Sequence, residues 1–109
     1  VIAVEPARSP FISKGYTGAH KIQGIGSEFI SNNLDIKLID EIIDVDDTDA
    51  FKTAQDLAKL DGVLAGASSG AAVFAAASIA KRREFQDKNI VVLLPDTGER
   101  YLSTPVFLK

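Results

Sequence analysis

The amino-acid sequence predicts an α/β fold, in which a parallel sheet is flanked by helices. Short apolar runs bounded by turn residues alternate along the chain with longer stretches of helical periodicity. Repetition of the order strand, helix, strand is typical of parallel sheets, whose ligands bind beyond the carboxyl ends of the strands. With 109 residues, of which 46% are apolar, the chain is long enough for one domain with a modest core.

Four strands and two irregular segments are predicted. The apolar runs predict strands at residues 1–4, 41–45, 63–65 and 89–94, the last of which reads NIVVLL and is expected to be buried. Residues 5–18 carry two prolines and two glycines with little periodicity, which predicts a loop near a site or an interface. A short helical turn is expected across residues 22–30.

Two helices complete the predicted architecture. Residues 49–60 place alanines and a leucine on one face, after a start signal at 46–48 (Asp-Asp-Thr) and before Gly62 in a C-cap position. Residues 71–83 are alanine-rich and apolar nearly all round, so this helix is expected to be buried close to the sheet or to a flat ligand. A turn made by residues 68–70 is expected before it.

Composition and charge exclude several classes of protein. A net charge of −3 and an isoelectric point near 5.0, with basic residues scattered among acidic ones, leave no basic stripe for nucleic acid. No apolar run reaches the roughly 18 residues that a membrane span needs. Without cysteine, and with His20 as the only histidine, the sequence offers no disulfide and no cluster of soft metal ligands. The cytoplasm is therefore the expected compartment.

The sharpest local motif is Gly-Ala-Ser-Ser-Gly at residues 66–70, between a predicted strand and a predicted helix. It matches the nucleophile elbow of α/β-hydrolases, which would make Ser68 an acyl-transfer nucleophile. That hydrolase order requires a histidine after the serine, whereas His20 precedes it. A helix start is the favoured interpretation, with one hydroxyl capping the helix and the second free to bind a small molecule at the mouth of the sheet.

Three further patterns have weaker functional interpretations. The triplet Asp-Thr-Gly at 96–98 occurs in aspartic proteases, but those are β-rich, and a turn in which Asp96 pairs with backbone amides is favoured. Gly24 and Gly26 could form a phosphate-binding loop or permit close backbone approach beneath a ligand. The acidic residues between 40 and 49 lack the glycine and spacing of an EF-hand, so capping and solvated faces explain them better.

Four separated stretches, in register from residue 1 to residue 107, resemble the cysteine synthases, also called O-acetylserine sulfhydrylases. They read VEPARSP, GAHKIQGIG, DGVLAGASSGAAV and PDTGERYLST. Cystathionine β-synthases are expected to resemble only parts of this pattern and to lack the GERYLST ending. The resemblance implies a fold type II pyridoxal-phosphate enzyme with two α/β domains and the cofactor in the cleft between them. Residues 1–109 would then form part of the larger, C-terminal domain.

The resemblance also implies which residues bind the cofactor. Ser69 matches the second serine of the related G-I-S-S-G motif, whose hydroxyl hydrogen-bonds the pyridine nitrogen of pyridoxal phosphate. A neutral hydroxyl does not force that nitrogen to be protonated, which weakens the electron sink and favours loss of a β-leaving group over transamination. Gly24, Ile25 and Gly26 match a loop that lies near cofactor and substrate through its backbone. The implied reaction makes cysteine from O-acetylserine and sulfide.

Departures from the related pattern limit what this chain is expected to do alone. The Schiff-base lysine, the asparagine that contacts the ring and the phosphate-binding loop all fall before residue 1, and no lysine here sits in a comparable motif. Ala67 replaces the usual isoleucine. We therefore expect an inactive fragment without catalytic residues or metal ligands, from an enzyme that is a homodimer and docks serine acetyltransferase. The alternative is a non-catalytic module that retains the domain for that docking.

Overall fold

Two strands form a parallel sheet in the computed structural model, which describes residues 1–108. β1 (Ile2–Pro6) pairs with β2 (Glu41–Val45), in a register that places their first residues opposite each other. A parallel pair needs a long crossover, and here the crossover holds a one-turn helix, α1 (Phe11–Lys14), and a 3-10 turn (Ile36–Leu38). The sheet and the helices that follow confirm the predicted α/β class.

The strand predictions for residues 1–4 and 41–45 are confirmed, although β1 continues to Pro6. The loop predicted at 5–18 is interrupted by α1. That helix ends at Gly15, whose left-handed φ of 79° stops the right-handed turn.

The helical turn predicted across residues 22–30 is wrong. No regular helix forms there, because Gly24 and Gly26 adopt φ angles of 95° and 77°, which a right-handed helix excludes. Ile22 is nonetheless fully buried. The apolar spacing of this segment therefore reflects burial of single side chains rather than a helical face.

The first long helix begins and ends at its predicted signals, although no side-chain hydrogen bond caps its start. α2 (Asp47–Asp56) begins before the predicted residue 49, and its end widens into a π turn (Leu57–Asp61). Two aspartates lie in the first turn, where the positive end of the helix dipole favours carboxylates. Gly62 follows as the C-cap with a left-handed φ of 68°, as predicted.

The second long helix differs from its prediction at both ends. α3 (Ala67–Ala80) begins at Ala67 rather than at residue 71, and it ends at Ala80 rather than at 83. Residues 68–70 belong to the first helical turn and not to a turn before it, because helical hydrogen bonding starts at the carbonyl of Gly66. Further 3-10 turns lie at Arg83–Phe85 and Gly98–Tyr101. Across residues 1–108, none of the helices has the length and apolar character to traverse a membrane.

α3 lies against α2 almost backbone to backbone. A Cβ atom added at Gly70 would come within 2.1 Å of the Ala50 carbonyl oxygen and 3.0 Å of Ala54 Cβ. The buried apolar cluster around this contact consists mostly of small side chains, and it comprises Ile22, Val45, Ala50, Ala54, Ala67, Ala71, Ala75 and Val106. Each alanine removes little apolar area from water, at roughly 25 cal/mol per Å². These small residues instead allow the two helices to approach each other closely.

The strand predicted at residues 63–65 is reduced to a single bridge. Ala65 pairs with Thr97 in an isolated antiparallel bridge, and the Gly98 N–H donates to the Leu64 carbonyl at 3.0 Å. These bonds hold the segment before α3 against the turn that follows Thr97.

The strand predicted at residues 89–94 does not form, and its predicted burial is wrong. This run has no strand partner among residues 1–108, and Val91 is 95% exposed and Leu93 80%. A strand exists only where a neighbour shares its ladder hydrogen bonds. Between this run and β1 lies a groove of about 390 Å³, whose apolar lining includes Ile2, Val4, Ala72, Ala75, Ala76, Ile79, Ile90 and Val92.

An ion pair joins the far end of α3 to the sheet. Arg82, just beyond α3, donates two hydrogen bonds to the carboxylate of Glu41 at the start of β2, at 2.7 Å and 2.6 Å. The hydrogen-bonded guanidinium lowers the pKa of Glu41 below its ordinary value of 4.5. Both side chains are more than a third exposed, so water screens the pair.

We expect the stability lost in Glu41→Gln to depend on pH. Because the folded-state pKa of Glu41 is lowered, the ion pair stabilises the fold above the unfolded pKa, and the contribution disappears as pH falls through the lowered value. The difference in melting temperature from wild type should be largest near neutral pH and vanish once the pH falls below the lowered pKa of Glu41. Glu28→Gln, at an exposed carboxylate outside this pair, should show no such trend. A difference that stays constant with pH would contradict the assignment.

Candidate functional site

The start of α3 carries the serine pair singled out by the sequence. Gly66 is the N-cap residue, with φ of −76° and ψ of 177°, and no side chain among residues 1–108 caps the helix. The predicted capping role for one of the two serines is therefore wrong. Ser68 and Ser69 instead lie inside the first turn, near the positive end of a 14-residue helix.

Ser69 carries an unsatisfied polar group. The residue is fully buried, and its Oγ has no hydrogen-bond partner among residues 1–108. A buried hydroxyl without a partner costs about 1–3 kcal/mol, so this group is suited to a partner outside the described chain. The neighbouring Ser68 retains 9% of its surface, which makes it the serine that solvent reaches.

The glycine loop predicted to approach a ligand lies beside β1. Gly24, Ile25 and Gly26 all line a cavity of about 220 Å³. A Cβ atom added at Gly26 would lie 2.6 Å from His20 Nε2 and 2.8 Å from Pro6 Cγ. The backbone at Gly26 is thus approached closely, and the approaching groups are side chains of this same chain.

Two hydrogen bonds fix the segment before the glycine loop, one of them within the segment and one to α2. Nδ1 of His20 accepts from the Ile22 backbone N–H at 3.2 Å, and Nε2 of the same ring faces Gly26. The Lys21 backbone N–H donates to Asp47 Oδ1 at 3.1 Å, at the start of α2. The sequence pattern does not indicate that the His20 ring lies against Gly26.

A cavity of about 320 Å³ connects the two predicted motifs. Its lining includes Gln23, which precedes the glycine loop, and Ala67, the first residue of α3. Ser69 is not among the lining residues. Ala67 contributes only a methyl group to this lining. The cavity therefore joins the two motifs through Gln23 and Ala67, and not through Ser69, Gly24 or Gly26.

The side chain of Asp96 bonds a tyrosine rather than backbone amides, which corrects its predicted role. Asp96 Oδ2 accepts a hydrogen bond from the Tyr101 hydroxyl at 2.5 Å, whereas Oδ1 is buried without a partner among residues 1–108. The hydrogen bond to Asp96, and then burial, raise the pKa of Tyr101 above its ordinary 10.0. Arg100 Nη1 is 3.8 Å from Oδ2, too far for a hydrogen bond. The Asp96 backbone carbonyl accepts from the Gly66 N–H at 3.4 Å.

The acidic residues between 40 and 49 engage cations on neighbouring elements. Lys14 Nζ lies 2.9 Å from Asp44 Oδ2, and this hydrogen-bonded pairing raises the pKa of Lys14. Arg8 approaches Asp47 at 3.7 Å. Within residues 1–108, no three acidic, histidine or cysteine side chains are arranged to hold a metal ion.

The chain belongs to the pyridoxal-phosphate dependent enzymes, a family that it matches over residues 1–96. It is 52% identical to a cysteine synthase of Buchnera aphidicola over 112 aligned residues, a match that covers 97% of this chain and 36% of that protein. The chain therefore spans about a third of the length of the curated relatives that it matches.

Two solved structures share the backbone arrangement. The crystal structure of cysteine synthase from Entamoeba histolytica superimposes with a TM-score of 0.95 at 43% identity, covering 98% of this chain and 32% of that one. An O-acetylserine dependent cystathionine β-synthase from Helicobacter pylori gives a TM-score of 0.85 at 40% identity, covering 98% and 34%. The resemblance to cysteine synthases is confirmed. Likeness to this cystathionine β-synthase extends over nearly all of the chain, and not only over parts of it as the motifs predict.

The residues at the start of α3 fit the cofactor of this family. Pyridoxal phosphate has a pyridine nitrogen that protein groups hydrogen-bond to tune its electronics. The Ser69 hydroxyl is a buried donor without a partner among residues 1–108, and Ser68 adjoins it with part of its surface open. Ser69 is the residue in this chain that would hold the ring nitrogen.

We expect Gly26→Ala to destabilise the protein more than Gly24→Ala. Both glycines have positive φ, a conformation that costs alanine about 1–2 kcal/mol. Only at Gly26 would the new Cβ meet packed atoms, because no atom lies within 4 Å at Gly24. Overpacking adds about 1–3 kcal/mol. Urea unfolding followed by circular dichroism measures both losses, and equal losses would show that the His20 ring does not press on this loop.

Proposed function

We propose that this chain is part of the larger, C-terminal domain of a cysteine synthase, which makes L-cysteine from O-acetylserine and sulfide by β-replacement. Relatives of that name at 50% and 52% identity support the proposal. Because the chain spans about a third of those relatives, the activity belongs to the longer protein. For that protein we propose the cytoplasm, a homodimer and docking of serine acetyltransferase.

The observation that carries the proposal is the orphaned hydroxyl in the first turn of α3. Ser69 Oγ is fully buried in a helix start that has no side-chain cap among residues 1–108. A buried donor without a partner requires an explanation, and a bound cofactor would supply one. The pyridine nitrogen of the family's cofactor is an acceptor of the required kind.

The part played by this chain is to hold the ring with a neutral group. When bound, pyridoxal phosphate supplies an electron sink for the substrate. A serine hydroxyl donates a hydrogen bond to the ring nitrogen without the negative charge that would favour its protonation. The sink is thereby kept weak, which suits loss of a β-substituent better than transamination. Gly24, Ile25 and Gly26 would lie near the cofactor and substrate through their backbone, since two of the three positions have no side chain.

The rest of the larger domain is proposed to cover the apolar groove beside β1. The groove measures about 390 Å³, and the run at 89–94 that borders it exposes Val91 and Leu93 almost completely. A further strand between this run and β1 would supply the missing ladder hydrogen bonds to both. The chain is therefore assigned to a sheet larger than the two strands described.

We expect Ser69→Ala in the complete enzyme to lower kcat/KM for O-acetylserine by about tenfold to a hundredfold, because the ring nitrogen loses its hydrogen-bond donor. Activity and the absorption spectrum of the bound cofactor are the measurements. Ser78→Ala is the matched control, since its hydroxyl bonds the Phe74 carbonyl of the same helix at 2.9 Å and should matter little. If Ser68→Ala carries the loss instead, the donor is Ser68 and the assignment of Ser69 is wrong. Full activity in both variants would contradict a cofactor site here.

We expect residues 1–109 alone, with added pyridoxal phosphate, to catalyse β-replacement no faster than the free cofactor, because no lysine here lies in a motif that binds it covalently. Production together with a polypeptide that supplies the rest of the enzyme should restore activity, whereas that polypeptide alone should not. A rate above that of free cofactor for the isolated chain would contradict the proposal. If the reassembled protein binds serine acetyltransferase but makes no cysteine, the non-catalytic docking module is the better description.

A further inference from the structure

We propose that Asp96 and Tyr101 are positioning residues, whose hydrogen bond clamps the turn at Gly66 and so sets where the hydroxyls of Ser68 and Ser69 lie. This inference rests on the proposed function, in which the start of α3 binds the cofactor ring. The Asp96–Tyr101 clamp acts through the backbone of the turn, without contact between either clamp residue and the cofactor.

Both side chains of the Asp96–Tyr101 clamp press directly on Gly66. A Cβ atom added at Gly66 would lie 2.5 Å from Asp96 Oδ1 and 2.6 Å from Tyr101 Cε2. The two side chains are joined to each other by the hydrogen bond from the Tyr101 hydroxyl to Asp96 Oδ2. The carboxylate and the aromatic ring thus both pack against the N-cap residue of α3, and only glycine leaves room for them there.

The start of α3 has no other side-chain anchor among residues 1–108. No capping hydrogen bond reaches its first turn, and the backbone bond from the Gly66 N–H to the Asp96 carbonyl is long at 3.4 Å. The opposite end of the helix is held by the bidentate pair of Arg82 with Glu41. The contact of Gly70 with α2 holds the C-terminal side of this first turn, and the clamp supplies the side-chain hydrogen bond at its N-terminal side.

The clamp is itself well supported. Tyr101 ends the 3-10 turn whose first residue, Gly98, donates its N–H to the Leu64 carbonyl at 3.0 Å. The Tyr101 carbonyl accepts from the Thr104 hydroxyl at 2.6 Å. The tyrosine also lines the cavity of about 320 Å³ that reaches Ala67. A displaced Tyr101 would therefore alter the space beside the first residue of α3.

The experiment compares variants of the complete, cofactor-loaded enzyme. Tyr101→Phe removes the donor, Asp96→Ala removes the acceptor, and Asp96→Asn keeps an amide oxygen that can accept the same hydrogen bond. We expect the first two to raise the dissociation constant of the cofactor about tenfold and to shift the absorption maximum of the bound cofactor. Asp96→Asn should stay within about threefold of wild type, because a neutral acceptor retains much of the hydrogen bond.

Glu41→Ala is the matched control, because it breaks the anchor at the opposite end of α3. It should lower the melting temperature and leave the absorption maximum unchanged. Wild-type affinity and spectrum in Tyr101→Phe would overturn the proposal. An equal spectral shift in Glu41→Ala would also overturn it, since general loss of stability would then explain the effect. Asp96→Asn behaving like Asp96→Ala would refute the role of the hydrogen bond.

The serine variants separate failure of the clamp from failure of the proposed function. If Ser68→Ala and Ser69→Ala both leave activity and spectrum unchanged, the start of α3 does not bind the ring, and the clamp inference fails with it. If a serine variant changes the spectrum while Tyr101→Phe does not, the proposed site stands and only the clamp is refuted.

Discussion

The contact between α2 and α3 is the constraint on which the rest of the structure depends. At Gly70 the two helices approach so closely that any side chain would collide with the Ala50 carbonyl. Ser68 and Ser69 immediately precede this glycine in the same helical turn. The backbone of these two serines is therefore held near α2 by the contact at Gly70. The same helical turn therefore packs against α2 and carries Ser69, the residue proposed to bind the cofactor ring.

A helix built from alanine needs anchors other than apolar area. The alanines of α3 bring it close to its neighbours but each contributes little burial. The polar contacts at its two ends compensate, with the Asp96–Tyr101 clamp at the start and the pair of Arg82 with Glu41 at the finish. The first is part-buried around a glycine, whereas the second is screened by water. The two ends therefore differ in how firmly they are fixed.

Elements with local determinants were predictable from the sequence. β2 forms at a short apolar run. α2 begins among aspartates, and the π turn that continues it ends at Gly62, so these elements carry local start and stop signals. Prediction failed where a strand needs a neighbouring strand and where glycine conformations override the apolar spacing. Residues 89–94 have the composition of a buried strand, but no neighbour among residues 1–108 shares their hydrogen bonds. Residues 22–30 have helical spacing that two glycines with positive φ override.

Some residues of the candidate site could likewise be predicted from the sequence, and others could not. The serine pair stands out in Gly-Ala-Ser-Ser-Gly, and its family resemblance points to the ring nitrogen. Tyr101 does not stand out, because its role comes from a tertiary contact with a turn some thirty-five residues earlier, which no spacing rule encodes. The signal available was the absence of any side chain at Gly66, the first residue of the motif.

The exposed run at residues 89–94 has a consequence for the life of the polypeptide in the cell. Its six residues carry no charge and no proline, and most are β-branched or leucine. Such segments recruit copies of themselves into cross-β assemblies when left open. The run becomes safe only when a neighbouring strand occupies its edge. In the larger sheet proposed above, pairing of this run with a neighbouring strand would therefore also remove an aggregation hazard.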